Sequence, residues 1–427
     1  MSPAKLTIGI KAFILKTKYG GCMKKRWALK IAAVLGAALL VCACSGSGSV
    51  PSGSPASDPV SSERIPDIVT SSQYSAQNIW GSGWNLGNTL DAKSDGSKDN
   101  LGLKTETSWG MPMTSQEMIK AVAAKGFKTI RIPISWHNHI TKESGHTIDP
   151  QWLERAKTIV DWALAENLKV IINIHHDNLG EVEDRSNNVY TMDTTYGFCV
   201  PENDESLKDA SKTYITDIWK QVAEYFKAYD DSLVFELLNE PRAVGTKYEW
   251  NTPAGTEDKV LAANAIIKEY EQAALDEIRK TGGNNASRYV MVPPYAASPS
   301  MMNGWSLPTD SASGKLIVSV HAYTPYEFCM GNDTTFTAAH KSNIENWLFK
   351  TLDQEFVSKG IPVIIGETSA SDKNNYDERV KWAKCFFGAS KERGISSILW
   401  DNMVVYPTGT DKAERHGYFN RNACSWF

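Results

Sequence analysis

The chain has 427 residues, of which 42% are hydrophobic, 22% charged and 10% aromatic, with a formal net charge of −4. That balance excludes a wholly disordered chain and supplies enough apolar material for a large core. Eight of the 45 Lys and Arg residues, and none of the 49 Asp and Glu, precede Ser45. The remainder is therefore distinctly acidic, which argues against a nucleic-acid partner, since such binding needs a basic footprint.

The N-terminus reads as an address. Met23-Lys24-Lys25-Arg26 opens a positive segment, and Ile31 to Ala43 follows as an unbroken apolar run, too short to span a bilayer as a helix but right for a secretory signal. Val41-Cys42-Ala43-Cys44 resembles a bacterial lipobox, so residues 23–44 are expected to be a signal peptide with a lipid anchor on Cys44. Residues 1–22 read as an upstream start-site extension. An exported protein is expected, either secreted or held at the cell surface as a lipoprotein. Residues 45–72 are rich in Ser, Gly and Pro and read as a linker that cannot bury a core. Cys199, Cys329, Cys385 and Cys424 remain in the domain, widely spaced and in no metal-type pair.

From residue 73 to 427 short β-branched runs alternate with longer amphipathic stretches. The runs begin at Gly83, Thr129, Val170, Val234, Tyr289, Leu316, Val363 and Ile398, which makes eight. Near-continuous apolar strands are what a parallel sheet covered on both faces requires. Helices are predicted between them, over 115–123 with a capping box of Thr114 and Glu117, over 150–166 and over 376–393. One domain of eight strands with crossover helices fits an α/β architecture, the (β/α)8 TIM barrel. An open doubly wound sheet fits less well, because Gly83-Trp84-Asn85-Leu86-Gly87 lacks the spacing of a dinucleotide-binding turn.

In such a barrel chemistry sits at the C-terminal ends of the strands. Arg131 lies in strand 2, and the third strand ends in His175-His176-Asp177. Asn239-Glu240-Pro241 ends the fourth, His321-Ala322-Tyr323 the sixth, Gly366-Glu367-Thr368 the seventh and Trp400-Asp401-Asn402 the eighth. Read singly, Glu240 could be an N-cap acid, Glu367 a loop acid, Arg131 a structural ion pair and Trp400 core. Together they gather unusual residues at one end of one barrel. Two carboxylates across a barrel mouth suit glycosidic cleavage, one donating a proton and the other attacking or stabilising the anomeric carbon. Trp84, Trp109, Trp136 and Tyr326 are candidates for stacking on a sugar chain.

At these residues the chain resembles family 5 of the glycoside hydrolases, the cellulase A type, from about Ile79 to the C-terminus. The resemblance rests on Gly83-Trp84-Asn85-Leu86-Gly87-Asn88-Thr89-Leu90-Asp91, Ile130-Arg131-Ile132-Pro133, Ile174-His175-His176-Asp177, Leu238-Asn239-Glu240-Pro241, His321-Ala322-Tyr323 and Gly366-Glu367. It implies Glu240 as acid/base and Glu367 as nucleophile. Arg131 and Tyr323 would contact the nucleophile and hold it ionised, and Asn239 would hold the sugar 2-hydroxyl. His175 or His176 and His321 would line the cleavage subsite, Trp400 would floor it, and Trp84 and Asn85 would join the substrate-binding set. The resemblance further implies a retaining endo-β-1,4-glucanase acting on cellulose, xyloglucan or mixed-linkage glucan, for which no metal or organic cofactor is needed; a monomer is expected. Met403 departs from the family pattern, where glycine is expected. Three alternatives remain open from the sequence: a β-mannanase, a metal-dependent hydrolase using His175, His176, Asp177, His321 and Asp401, and a non-catalytic glycan-binding lipoprotein.

Overall fold

All eight apolar runs become parallel strands of one closed barrel. In chain order they are β1 (Ser82–Asn85), β2 (Thr129–Ile132), β3 (Lys169–Asn173), β4 (Leu233–Glu236), β5 (Val290–Val292), β6 (Leu316–His321), β7 (Val363–Thr368) and β8 (Ser396–Leu399). Each pairs with its sequence neighbour, and β8 closes on β1 through Ser82 opposite Ser397 and Trp84 opposite Leu399. The computed structural model describes residues 75–93, 100–142, 144–179, 181–184, 189–191 and 197–427. The expected start-site extension, signal peptide and linker over 1–72 lie outside the described residues.

The barrel interior is stratified. Ile171, Val234, Met291, Ile317, Ile364 and Ile398, one from each of β3 to β8, form an apolar layer inside it. The short helix α1 (Ala76–Trp80) closes the lower end, with Trp80 fully buried against that layer and edge-on to Tyr289 at 5.1 Å. Two residues further along, where the same face recurs in a strand, the side chains turn polar: Asn173, Glu236 and Ser319, joined by Asn85 and Arg131, all buried. The larger core lies between barrel and helices.

The helices predicted over 115–123, 150–166 and 376–393 are found, and two long helices not predicted from the sequence join them in the shell. Helices α2 (Gln116–Ala124), α3 (Pro150–Ala165), α4 (Glu205–Phe226), α5 (Glu257–Lys280) and α6 (Tyr376–Glu392) cover the strands. The cap of α2 differs from expectation by one residue. Ser115, not Thr114, is the N-cap and its hydroxyl accepts from the Met118 amide, because the Thr114 backbone is already engaged by Glu106. A crossover helix is also missing: residues 293–315 link β5 to β6 with only the 3-10 turn Tyr295–Ala297, so that side of the barrel is covered by α5 and loops. The four domain cysteines are free thiols.

β7 carries the feature that matters most for chemistry. Val320 pairs with Ile365 but His321 pairs with Glu367, so Gly366 is an extra residue in β7, a β-bulge that re-aims Glu367. A Cβ on Gly366 would lie 3.0 Å from Nε2 of His321 and 3.3 Å from Oε1 of Glu236, so any side chain there would press on both groups.

Removal of the barrel-end plug gives a test of this packing. Trp80→Ala should destabilise the fold by about 3–5 kcal/mol, the usual cost of emptying a large buried aromatic site. Chemical denaturation with an unchanged m-value would report it, and a loss below about 1 kcal/mol would mean α1 is dispensable.

Candidate active site

The mouth of the barrel holds a cavity of about 1090 Å³ whose lining includes His175, His176, Asn239, Glu240, His321, Tyr323, Glu367 and Trp400. The strand-end residues picked from sequence therefore converge. Beneath them sits Arg131, fully buried, with every donor face of its planar guanidinium in use. Its Nε donates to Glu236 at 2.8 Å, Nη1 to Glu367 at 2.8 Å and Asn85 at 3.0 Å, and Nη2 to Asn239 at 2.6 Å. One cation thus ties together the ends of β1, β2, β4 and β7.

Glu236 is the partner that sequence reasoning missed. It lies in the run Val234-Phe235-Glu236-Leu237-Leu238, which reads simply as a buried strand. Its Oε2 accepts from Arg131 and from Asn173 at 2.9 Å, and its Oε1 accepts from the Ser319 hydroxyl at 2.6 Å. Burial alone would raise its pKa, but the charges of Arg131 and nearby His321 and the hydrogen bond from Ser319 outweigh it and hold the carboxyl down at about 2. The available signal was parity: Glu236 shares the inward face of β4 with Val234, and a charge there demands a buried counter-charge.

Glu367 and Glu240 receive different company. Glu367 accepts from Arg131 through one oxygen and from the Tyr323 hydroxyl, at 2.8 Å, through the other. Glu240 meets Nδ1 of His321 at 2.8 Å. One oxygen of each carboxylate and a ring nitrogen of His321 all lie within 4.8 Å of one another. Burial opposes a charge on His321, yet Glu367, Glu236 and Glu240 together raise its pKa to about 9. Burial would raise Glu240, but the hydrogen bond and charge of His321 bring it below the ordinary carboxylate value. The His321–Glu240 pair accordingly holds one proton at neutral pH.

The adjacent histidines both face the cavity. His175 Nδ1 lies 3.1 Å from Nδ2 of Asn173, whose carbonyl oxygen accepts from the Ile134 amide. The Asn173 amide is thus the donor, so Nε2 of His175 carries the ring proton. Burial keeps both rings neutral, His176 down at about 3 and His175 well below its ordinary value. His176 packs against Trp109, and the His175 and Trp400 rings lie parallel. Gly87 allows this floor: a Cβ there would sit 2.8 Å from the Trp400 ring.

Two expected substrate contacts are corrected. Trp84 is fully buried, donating to Asp401 at 3.0 Å and packed edge-on to Phe419, so it is core. Asn85 is also fully buried: it accepts from Arg131 and donates to the Gly366 carbonyl at 2.9 Å, bracing the bulge from behind. Trp136 is core as well, while Trp109 and Tyr326 do line the cavity. The metal-ligand alternative loses two of its five residues. Asp177 accepts from the Trp136 amide, His137 and the Tyr214 hydroxyl, and Asp401 from Trp84 and the Met403 and Phe419 amides. Both carboxylates shape loops. A different trio, Asp91, His175 and His176, does bring ligand atoms within 4.8 Å, but Asp91 is spanned by the Asn88 and Thr89 amides. Met403 has φ 61°, the left-handed conformation that explains why glycine was expected there.

The comparisons agree with this geometry. The family model described as "Cellulase (glycosyl hydrolase family 5)" matches residues 93–404. Endoglucanase A of Clostridium longisporum is 38% identical over 374 residues, covering 84% of this chain and 65% of that relative, so the chain spans about two thirds of its length. A family 5 lichenase from Caldicellulosiruptor sp. F32, solved as a mutant with cellotetraose, superposes with a TM-score of 0.73 at 36% identity, covering 87% of this chain and 95% of the other. A xyloglucan-specific endo-β-1,4-glucanase from a metagenomic library, solved with cellotriose, gives 0.70 at 32% identity, covering 82% and 94%. The chain belongs to glycosyl hydrolase family 5, a family of retaining glycosidases.

Two outcomes test the buried network. Glu236→Gln leaves Arg131 with a missing counter-charge and should cost about 3 kcal/mol of stability, measured by denaturant titration; a cost near zero would show that Arg131 does not need it. The second concerns pH. His321 binds its proton more tightly folded than at its ordinary 6.5, so its contribution is complete below that pH and fades as pH rises through about 9. The melting temperature should fall across that window, and His321→Gln should flatten the fall; an unchanged slope in the variant would reject the assignment.

Proposed function

We propose that this protein is an endo-acting retaining β-1,4-glucanase in which Glu367 attacks the anomeric carbon and Glu240 serves as acid and then base. The observation that carries this reading is the separation of the two carboxylates. Oxygens within 4.8 Å suit direct attack, which uses carboxyl groups about 5–5.5 Å apart; a water held for inversion needs about 6.5–9.5 Å.

Each step rests on the contacts of a named side chain. A glucosyl unit rests on Trp400 with its anomeric carbon over Glu367. Arg131 and Tyr323 hold both oxygens of that carboxylate, so its attacking lone pair is aimed without reorganisation. Glu240 protonates the glycosidic oxygen as the bond breaks, drawing on the proton it shares with His321. The sugar–Glu367 ester forms and the leaving chain departs. Glu240, now unprotonated, takes a proton from water as that water attacks the ester, and the product keeps its β configuration. Asn239, its side-chain oxygen engaged by Arg131, has its amide nitrogen left for the sugar hydroxyl beside the reacting carbon.

An open groove and endoglucanase relatives support internal cleavage, and the lichenase and the xyloglucan-specific enzyme support a β-glucan substrate. We read the preferred polymers as β-1,4-linked glucans, mixed-linkage glucan and xyloglucan included, and the protein as an exported monomer tethered through Cys44. A mannan panel separates the β-mannanase alternative.

Glu240→Gln and Glu367→Gln should each lower kcat on barley β-glucan or carboxymethyl-cellulose by at least about 10²–10⁴-fold while the melting curve stays near wild type. Azide should restore turnover of Glu367→Ala with an inverted product, read by NMR of the released sugar. Near-normal activity of either glutamine variant, or inverted product from the other variant instead, would overturn the assigned roles.

A further inference from the structure

The helical segment between β6 and β7 is not a regular α-helix. Ala338–Ser342 and Lys350–Glu355 are α-helical, but Asn343–Phe349 between them is a π-helix. Such wide turns are rare and concentrate at functional sites. The sequence shows why this one forms. Ile344, Leu348, Phe349 and Leu352 are all fully buried. In an α-helix Ile344 and Phe349 would point about 140° apart. The i to i+5 repeat of a π turn stacks them on one face, so both reach the core.

The same widening turns Trp347 away from that buried stripe. Trp347 is 40% exposed and lines the catalytic cavity, together with Asn343 and His340 of the same segment. Tyr326, 67% exposed, lines the cavity from the start of the short helix Tyr326–Cys329 that follows β6. Large flat apolar rings left open to water within a cleft are out of place unless something covers them. Polar groups flank this pair: His340 Nε2 meets Asp333 at 3.1 Å, and both line the same wall. Apolar face with polar rim is the complement of a pyranose ring, whose C–H faces are apolar and whose edge carries hydroxyls.

The direction along the bound chain comes from the strand order and rests on the function proposed above. The glucosyl unit attacked by Glu367 lies over Trp400, at the end of β8. Crossing the scissile bond past Glu240, the chain runs toward the β5 and β6 side, where Ser298 and Ser300 line the cavity before the Tyr326 and Trp347 wall. We infer that Trp347, presented by the π turn, is a stacking platform for a glucosyl unit in the leaving half of the chain and so determines preference for long over short substrates.

The test compares substrates that do and do not reach that wall. Trp347→Ala should raise KM for cellohexaose and for barley β-glucan about five- to tenfold, the scale of one aromatic contact. It should leave kcat/KM for 4-nitrophenyl β-cellobioside within twofold, because that leaving group ends just past the scissile bond. Trp347→Phe should restore most of the loss, and quenching of tryptophan fluorescence by cellohexaose should weaken in the alanine variant of a Glu240→Gln background. Equal losses on long and short substrates, or no loss on either, would overturn the inference while leaving the glucanase reading intact. Wild-type protein inactive on all three substrates would overturn that reading and this inference with it.

Discussion

The structure depends on one buried guanidinium. Arg131 is sealed from the solvent, so its charge persists only because two carboxylates and two amide oxygens surround it. A cation placed this way is costly to desolvate and costly to leave unpaired. It therefore specifies where its partners go: Asn85 on β1, Glu236 and Asn239 from β4, Glu367 on β7. Rigidity in the barrel mouth comes from this cross-linking as much as from the strands themselves. Glu236 supplies the counter-charge from below, which frees Glu367 from being consumed as a mere ion-pair partner and leaves one of its faces open to the cavity.

The backbone meets this demand through irregularity. A regular β7 would send alternate residues inward, and Ile364 and Gly366 already do so at successive layers. The bulge at Gly366 adds one residue and lets Glu367 turn toward Arg131 and Tyr323. The bare Cα of Gly366 then gives His321 and Glu236 their places. Asn85 ties the scheme together, since it donates to the Gly366 carbonyl while accepting from Arg131. A π turn in the β6–β7 segment uses the same device on a helix. In both cases a local insertion changes which face a residue presents without moving the elements around it.

These irregularities mark the boundary of what is legible in the sequence. The eight strands are legible because a parallel barrel buries both faces and so writes unbroken apolar runs. Glu240 and Glu367 are legible because a carboxylate directly after such a run has few structural uses. Glu236 and Asn173 are not, since a single polar residue inside an apolar run leaves the strand reading intact and reveals nothing about its partner across the barrel. Trp84 and Trp136 look like rim aromatics in the sequence, along with Trp109. Composition cannot separate them, because the difference lies in backbone direction: Trp84 and Trp136 turn into the barrel–helix interface, with ring nitrogens satisfied by Asp401 and the Asn173 carbonyl. The missing helix between β5 and β6 has the same origin, as alternation elsewhere suggests a crossover that α5 and loops make unnecessary.

The division of labour proposed for the two carboxylates matches the hydrogen bonds each receives. Glu367 is held by Arg131, which cannot lose its proton, and by Tyr323, a phenol that burial and nearby carboxylates push well above its ordinary value. Neither partner can take or give a proton near neutral pH, and the hydrogen bonds to Glu367 come from these two; Nδ1 of His321 lies farther off, 3.7 Å from Glu367 against 2.8 Å from Glu240, so the proposed nucleophile is held by fixed donors. Glu240 faces His321, whose proton is labile over the accessible range, and the two share a single hydrogen bond. A group that must give a proton in one step and take one in the next gains from a neighbour able to do the same. Exchanging the two partner sets would leave an acid that could not be recharged and a nucleophile that could be neutralised by its own support. The proposed roles thus follow which carboxylate holds the hydrogen bond to the titrating His321, and both sets of donors are placed by the strands on which they stand.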